Sequence, residues 1–444
     1  MAPIPEKVEP DRDPIVETDV VIIGGGIIGV SAALTLAEKG IAVALFEKGE
    51  IAAEQSSRNW GWCRQQGRDP REMSLIIESL QRWREMSARI GQDVGYRECG
   101  ILCLAQNETE LEKLTSWTKL AREYGIPFDL KSSDGIREFL PATDRTWLGG
   151  LHTASDGRAE PTLAGPAIIE AAKDHGAKVF TNTAVRSIET TAGRVSGVVT
   201  EKGLTQCKSV IVAAGAWTSL FMRNLDTRIP QLKVRSSVFR TAPISGGPEA
   251  CIYSSGFTIR KRLDGGYTVA LGGRTRIPYD LTPDSFRYLR DFLRLAWMSR
   301  KSLRPRLSDR LTIESSYPAR WSSTQTTVFE EERILNPEPI DRLLNQAKEN
   351  ISAAFPLFKQ MKIIERWAGM IDVTPDAVPV ISEVDALPGC VIATGFSGHG
   401  FGIGPAAGEL AAQMAVNQRL FLDPQPFKLS RFHDGTDIEP IAGV

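Results

Sequence analysis

The sequence predicts an α/β fold in which a parallel-sheet, dinucleotide-binding domain is dispersed along the chain and carries an inserted α+β domain built on a mainly antiparallel sheet. Three observations predict it. A complete strand, glycine turn, helix and second strand stands near the N-terminus, glycine-punctuated strands recur far downstream, and β-rich segments between them lack nucleotide signals.

Residues 19–48 read DVVIIGGGIIGVSAALTLAEKGIAVALFEK. The run Val20–Ile23 is β-branched and short, as suits a buried parallel strand. Gly24, Gly26 and Gly29 follow at G-x-G-x-x-G spacing, each with its own task. Gly24 allows the tight turn, Gly26 lets the backbone approach a pyrophosphate, and Gly29 permits close packing of a helix over 27–39. Ile27 and Ile28 open that helix, where free N–H groups and the dipole favour an anion. A strand over 41–46 ends at Glu47-Lys48. A carboxylate there accepts hydrogen bonds from a ribose 2′-OH and repels a 2′-phosphate, so NADP is not expected. With strand, helix and acid all in place, this is a Rossmann-like unit rather than a chance glycine triplet.

Further along, a helix over 163–175 precedes strands at 177–180, 185–188 and 195–199. A strand at 210–213 ends in Ala214-Gly215-Ala216-Trp217, and one at 390–394 runs into a loop over 395–404 and a helix over 405–416. That loop carries Gly395, Gly398, His399, Gly400, Phe401, Gly402 and Gly404. A flexible loop feeding a helix N-terminus offers N–H donors and positive potential to an electron-rich group. Reduced isoalloxazine carries negative charge on its N1–O2 edge, whereas a nicotinamide makes no such demand, so a flavin dinucleotide is expected. The plain alternative is a glycine-rich surface loop. Segments 98–104, 233–241 and 267–271 have β character without nucleotide signals and belong to the inserted domain. The expected organisation is a flexible tail (1–17), a discontinuous cofactor domain (18–95, 150–225 and 360–444) and a substrate domain (96–149 and 226–359), the active site lying where they meet.

Composition bounds the function. The 444 residues are 42% apolar and 24% charged, with a formal net charge of −1, which argues against a nucleic-acid binder. Six cysteines without C-x-x-C and four scattered histidines give no zinc site, and reduced cytosolic thiols are expected. Residues 1–17 lack an apolar signal-peptide core, and no uninterrupted apolar run reaches the roughly 18 residues of a membrane span. The expected location is cytoplasmic.

The N-terminal motif, Ser56-Ser57-Arg58-Asn59, VIVAAGAW, RWAGMIDVTPDAVPVI (residues 366–381) and TGFSGHGFG together resemble the D-amino-acid oxidase and glycine oxidase superfamily of FAD enzymes, over nearly the whole chain. WAGMIDVTPDAVPVI and the tail PFKLSRFHDG are similar to the β subunit of heterotetrameric sarcosine oxidase and to opine oxidase subunits. FEKGEIAAEQSSR, WREMSARIG and ETTAGRVSGVVTEKG are still more similar to membrane-associated bacterial L-amino acid deaminases. The resemblance implies oxidation of a carbon–nitrogen bond, with hydride passing to flavin N5 and the imine hydrolysing to an oxo acid and ammonia or an amine. It also implies that Gly61, Trp62, Val185 and Gly369 join the motif residues around the cofactor. Where some relatives place a substrate-clamping arginine, a lysine, a flavin-tethering cysteine or a histidine bound to a second flavin, this chain has Ile371, Gly402, Met370-Ile371 and Ala159-Glu160-Pro161-Thr162-Leu163. One non-covalent FAD and no FMN is therefore expected. Arg274 matches the deaminases' substrate-carboxylate arginine, and a bidentate guanidinium suits a carboxylate. Arg64 sits where sarcosine oxidases set an arginine against the flavin. Gln65 and Gln66 are candidates for the substrate amine, and His399 for flavin contact or, less simply, a base. A surface ion pair is the competing explanation for each arginine, and a structural role for each glutamine. Trp60, Trp62 and Trp367 wall a pocket or fill the core, and Cys63 is expected to be inert.

Within 284–306, Phe286, Leu289, Leu293, Ala296 and Trp297 fall at helical spacing, and Arg287, Arg290, Arg294, Arg300, Lys301, Arg304 and Arg306 outnumber Asp284 and Asp291, seven against two. Either this helix packs its apolar stripe on its own domain and exposes a basic face, or it docks on an anionic membrane. The partners expected are an amino acid or N-substituted amino acid and, as electron acceptor, oxygen or a quinone; homo-oligomerisation or partner subunits are also open. An NAD(P)H-driven reductase or monooxygenase is the competing class, although a second nicotinamide fingerprint is not visible. A partner-dependent oxidase subunit is the third.

Overall fold

The computed structural model describes residues 2–273 and 277–440. The cofactor side is a six-stranded sheet in the order Val380–Glu383, Cys390–Thr394, Ser209–Val212, Val20–Ile23, Val43–Phe46, Lys178–Phe180. Its ladders are parallel apart from the edge pair of Val380–Glu383 with Cys390–Thr394. Every residue of Val20–Ile23 is buried, as a β-branched strand between two neighbours requires. Ile23 pairs with both Phe46 and Val212, so three strand ends and their following loops converge.

The helix Ile27–Glu38 is buried almost throughout and packs against Gly400–Ala415 and Pro161–Asp174. Glycines permit that approach: a Cβ on Gly408 would stand 2.6 Å from the Ile28 carbonyl oxygen, and one on Gly404 would stand 2.8 Å from the Ile27 side chain. The helix expected at 405–416 begins at Gly400, so the loop comprises only 395–399. Gly402 and Gly404 are helix-packing residues, because their missing Cβ atoms admit neighbours.

The second layer is an eight-stranded sheet in the order Ile363–Val373, Leu232–Thr241, Tyr267–Ala270, Thr258–Lys261, Cys251–Tyr253, Ile101–Ala105, Gly149–Thr153, Asp129–Ser132. It is antiparallel except where Cys251–Tyr253 runs parallel to Ile101–Ala105. Two expected boundaries shift: Gly149–Thr153 and Ile363–Val373 belong to this sheet by their pairing, which moves the expected edges of the cofactor domain at 150 and 360. Residues 2–17 are no loose tail. Val8 is buried, Asp11 takes the Val179 N–H on its carboxylate at 2.9 Å and gives its own N–H to the Val179 carbonyl at 2.7 Å, and Glu17 bridges to Gln206.

Residues 277–306 form an insertion in the second layer that pairs Ile277–Asp280 with Leu303–Arg306 in parallel, joined by helices Pro283–Arg287 and Leu289–Ser299. Here one expectation is overturned. The inward face is Tyr288, Phe292 and Leu295, packed on Val373, Leu232, Val234 and Ile371. Phe286, Leu289, Leu293 and Trp297 face solvent, Trp297 at 68% exposure. The helix breaks at Tyr288, whose hydroxyl meets Ser219 Oγ at 2.9 Å, and this anchor selects the face that turns inward. No helix among the described residues is long and apolar enough to cross a membrane.

Candidate active site

A cavity of about 1980 Å³ is lined by the loops at the ends of the parallel strands and by the antiparallel sheet. At one end lies the glycine turn. Gly24 has φ +109°, and a Cβ on Gly29 would fall 2.0 Å from the Gly24 oxygen, so the turn closes only on glycines. Ser56 Oγ accepts the Ile27 N–H at 2.8 Å, which leaves the hydroxyl proton to donate at the helix N-terminus. Glu47 accepts from Gly25 N–H at 2.7 Å and Gly49 N–H at 2.8 Å. Burial raises its pKa, while Lys48 and the two N–H groups pull it back. Its remaining lone pairs suit ribose hydroxyls. Ile27, Ile28, Val185, Ala214, Gly215 and Trp217 line the same region.

Lys48, Arg58 and Asn59, expected to touch the cofactor, line the cavity and also bond to the protein. Lys48 lines the cavity but donates to Glu54 Oε1 and the Glu332 and Arg333 carbonyls. Buried Arg58 donates to the carbonyls of Ala53, Leu335 and Ala368, tying the loop to the strand that carries Gly369. Asn59 braces the turn by bonding the Gln55 and Ser56 carbonyls and accepting the Gly61 N–H. Ser57, Gly61, Gly395 and Gly402 lie behind the wall rather than in it. Ser57 bonds the Glu54 carbonyl, Gly61 faces Ala159 and Arg260, Gly395 faces Thr374, and Gly402 gives its carbonyl to Ser79 and Trp83.

In mid-cavity, a junction not anticipated from the motifs holds two cofactor loops together. Gln231 Nε2 donates to the Gly215 carbonyl at 3.1 Å and Asp372 Oδ2 at 3.0 Å, and Asp372 accepts the Gly395 N–H at 2.7 Å. Burial raises the pKa of Asp372 against these donors. Nearby, Gly398, Gly400 and Phe401 line the cavity at the start of Gly400–Ala415. His399, at the N-cap, sets Nδ1 3.1 Å from Glu72 Oε2, and Arg68 stands 3.9 Å from the same carboxylate. Burial lowers the His399 pKa, with Arg68 and Arg64 adding to the fall against Glu72. Burial also works to raise Glu72, but His399, Arg68 and Arg64 outweigh it and lower its pKa. Glu72 is the charged member of the pair.

The other end is walled by Trp60, Trp62, Arg64, Gln66, Cys103, Tyr253, Leu271 and Ile371. Buried Asp156 shapes it by accepting the N–H groups of Gln65 at 2.7 Å and Gln66 at 3.2 Å; burial pushes its pKa up to about 6. Gln65 is fastened to Ser155 and Asp156 and does not face the cavity, so the structure separates the two glutamines. Gln66 Nε2 donates to the Leu151 carbonyl at 2.9 Å, whereas its buried Oε1 has no partner. Arg64 donates to the Gln66 carbonyl and lines the cavity. Tyr253, which no motif marks because it lies in a three-residue strand, accepts the Gly273 N–H at 3.2 Å and keeps its phenolic proton. Arg274 lies outside the described residues; Gly272 and Gly273 before it line the cavity. Cys63 is buried, with its thiol pKa pushed well up by burial. No cluster among the described residues could hold a metal ion.

Residues 19–414 match the family DAO, FAD dependent oxidoreductase, and the chain belongs to that family. It is 31% identical to the L-amino acid deaminase from Proteus vulgaris, with a TM-score of 0.91, covering 96% of this chain and 100% of that one. The L-amino acid deaminase from Proteus myxofaciens, solved in complex with anthranilate, is 32% identical with a TM-score of 0.91, covering 97% of this chain and 96% of that one. A curated relative, glycine oxidase from Bacillus licheniformis, is 25% identical over 90% of this chain and 93% of its own. The 4-methylaminobutanoate oxidase (formaldehyde-forming) from Paenarthrobacter nicotinovorans is 27% identical over 52% of this chain, which spans only 29% of that protein's length. The cofactor is FAD, held without a covalent bond. The residues fit it: a glycine cradle at a helix N-terminus, Glu47 for the ribose, and a second helix N-terminus at Gly400 for the ring.

Proposed function

We propose that this chain oxidises the carbon–nitrogen bond of an amino acid or N-substituted amino acid, giving an imine that hydrolyses to an oxo acid and ammonia or an amine. Bound FAD supplies the hydride acceptor. The observation that carries the reading is the Arg64 guanidinium in the same wall as the Tyr253 phenol, whose proton is unspent. Arg64, Tyr253 and Arg274 hold the carboxylate, and the Gln66 side chain stands in the wall beside them. Trp60, Trp62, Leu271 and Ile371 exclude water, which lowers the pKa of the amine and favours the neutral form that releases hydride. The test is anaerobic loss of flavin absorbance on mixing with L-, D- and N-alkyl amino acids. Prompt bleaching by one group supports the reading and fixes its stereochemistry; bleaching by NADH alone overturns it.

For the acceptor, the insertion favours a membrane-bound quinone over free oxygen. Its inner residues Phe292 and Leu295 line the cavity while Phe286, Leu289, Leu293 and Trp297 form an exposed apolar stripe. Arg290, Lys301 and Arg304 flank it without an ion pair among the described residues, which suits an anionic lipid surface. Sedimentation with anionic vesicles at low salt, lost at high salt, supports docking; protein that stays in solution at low salt refutes it.

A further inference from the structure

Desolvation raises the thiol pKa of five of the six cysteines, and the sixth is lowered. Cys99 precedes the strand Ile101–Ala105, and Cys251 opens Cys251–Tyr253, the strand that pairs with it in parallel, Cys251 opposite Ile101. The Cys251 N–H reaches the Gly100 carbonyl at 3.0 Å, which draws the two chain segments together at this point. Ile101, Cys251 and Trp62 form one small apolar cluster with Cys99 packed against it. The Cys99 thiol reaches the same Gly100 carbonyl at 3.7 Å, and the Cys251 side chain and the Arg158 and Arg260 guanidiniums stand close to its sulfur. Those neighbours, the Cys251 thiol first, outweigh burial and hold the Cys99 thiol below its ordinary pKa, which favours the thiolate. Cys99 is part-exposed and Cys251 is buried behind it. An attacking sulfur open to solvent with a resolving thiol in contact is the arrangement of an oxidisable pair.

We propose that Cys99 and Cys251 form a peroxide-sensitive dithiol site that closes to a disulfide. The Cys99 thiolate attacks hydrogen peroxide, the O–O bond breaks, and a sulfenic acid forms with release of one water once a proton is supplied. Cys251 sulfur then attacks the sulfenic sulfur; the S–S bond forms, the S–O bond breaks and a second water leaves. Two thiols lose two electrons and two protons, and one peroxide becomes two waters. The bridge joins two segments that place Cys103, four residues after Cys99, and Tyr253, two after Cys251, in the cavity wall, so oxidation is felt where the substrate end is built.

The test needs no turnover and stands apart from the proposed activity. The full chain, reduced and freed of reductant, is treated with hydrogen peroxide at a few equivalents, alkylated under denaturing conditions, digested with trypsin and read by mass spectrometry. The expected result is loss of two of the six thiols and a cross-link between peptides 98–113 and 241–260, with fragmentation assigning it to Cys99 rather than Cys103. In Cys251→Ser, Cys99 has no resolving partner and appears as sulfinic acid instead. Wild-type protein in which Cys99 stays fully alkylated, is over-oxidised without a cross-link, or links to another cysteine overturns the proposal.

Discussion

At the nucleotide end of the cavity, Gly24, Gly26, Ser56 and Glu47 come from one stretch of chain, and backbone geometry alone nearly fixes their places. At the substrate end, Arg64, Gln66, Tyr253, Ile371 and His399 arrive from four separate segments and depend on buried carboxylates to hold their loops. Asp156 fastens 65–66, Glu72 fastens His399, and Asp372 joins Gly395 to Gln231. The difference implies that damage at the first end removes cofactor, whereas damage at the second leaves FAD bound and alters what the site does with substrate.

The largest expected effect breaks the first end outright. Gly29→Val forces a side chain onto the Gly24 carbonyl 2.0 Å from the ideal Cβ, where backbone cannot yield. Overpacking of this kind costs about 1–3 kcal/mol or more, and we expect protein that purifies with about a tenth of the normal flavin, read from its absorbance ratio. Flavin retained at the wild-type ratio would show that the turn is not the cofactor cradle.

A single hydrogen bond at each end sharpens the contrast. Ser56→Ala removes the hydroxyl at the helix N-terminus and is expected to weaken FAD binding about five- to tenfold, on the scale of about 1 kcal/mol, without changing KM in FAD-saturated enzyme. Tyr253→Phe is expected to raise KM by a similar factor of about five to ten while the FAD content stays unchanged. Titration of apoprotein with FAD and steady-state kinetics with the best amino acid separate the two; the same phenotype from both variants would erase the distinction between the ends.

Asp156 gives a smaller effect with a definite sign. Its pKa in the folded protein, about 6, lies above the ordinary carboxyl value of 3.8, because burial disfavours the charge. The folded state therefore holds the proton more tightly, and this group's contribution to stability is fullest below about pH 4 and is lost as pH rises through about 6. Asp156→Asn lacks that dependence. The stability difference between wild type and variant should thus move in favour of wild type, by on the order of 1–3 kcal/mol, as pH falls from 7 to 4.5 in denaturant melts. A constant difference across that range contradicts the assignment.

The smallest effect on stability belongs to the exposed stripe. Leu293→Ser and Trp297→Ser should each change stability by less than about 0.5 kcal/mol, since both side chains already face water, yet both should reduce vesicle binding. A large loss of stability would mean that the stripe has a protein partner.

Much of the cofactor half was legible because its signals are local. A β-branched run, glycines at fixed spacing and an acid at the next strand end specify turn, helix and ribose acceptor within one unit, and 390–394 likewise announces a strand leading to a helix N-terminus. The start of that helix was misplaced because Gly402 and Gly404 read as loop glycines, when their role is to admit Trp62 and Ile27. The C-terminal motif PFKLSRFHDG turns out to serve structure, Arg431 binding Asp376 through both carboxylate oxygens at 3.0 and 3.1 Å.

By itself, then, the sequence determined the parallel nucleotide unit, the carboxylate at the end of its second strand, and the need for a second, antiparallel layer. Tertiary structure decided which of two adjacent glutamines faces the cavity, that Tyr253 stands in its wall, and that the apolar stripe of the insertion points outward. The physical reason is that periodicity tells which residues share a face, but not which face finds a partner. Asp156 and Tyr288 make that choice through contacts with residues distant in the chain, at Gln65, Gln66 and Ser219.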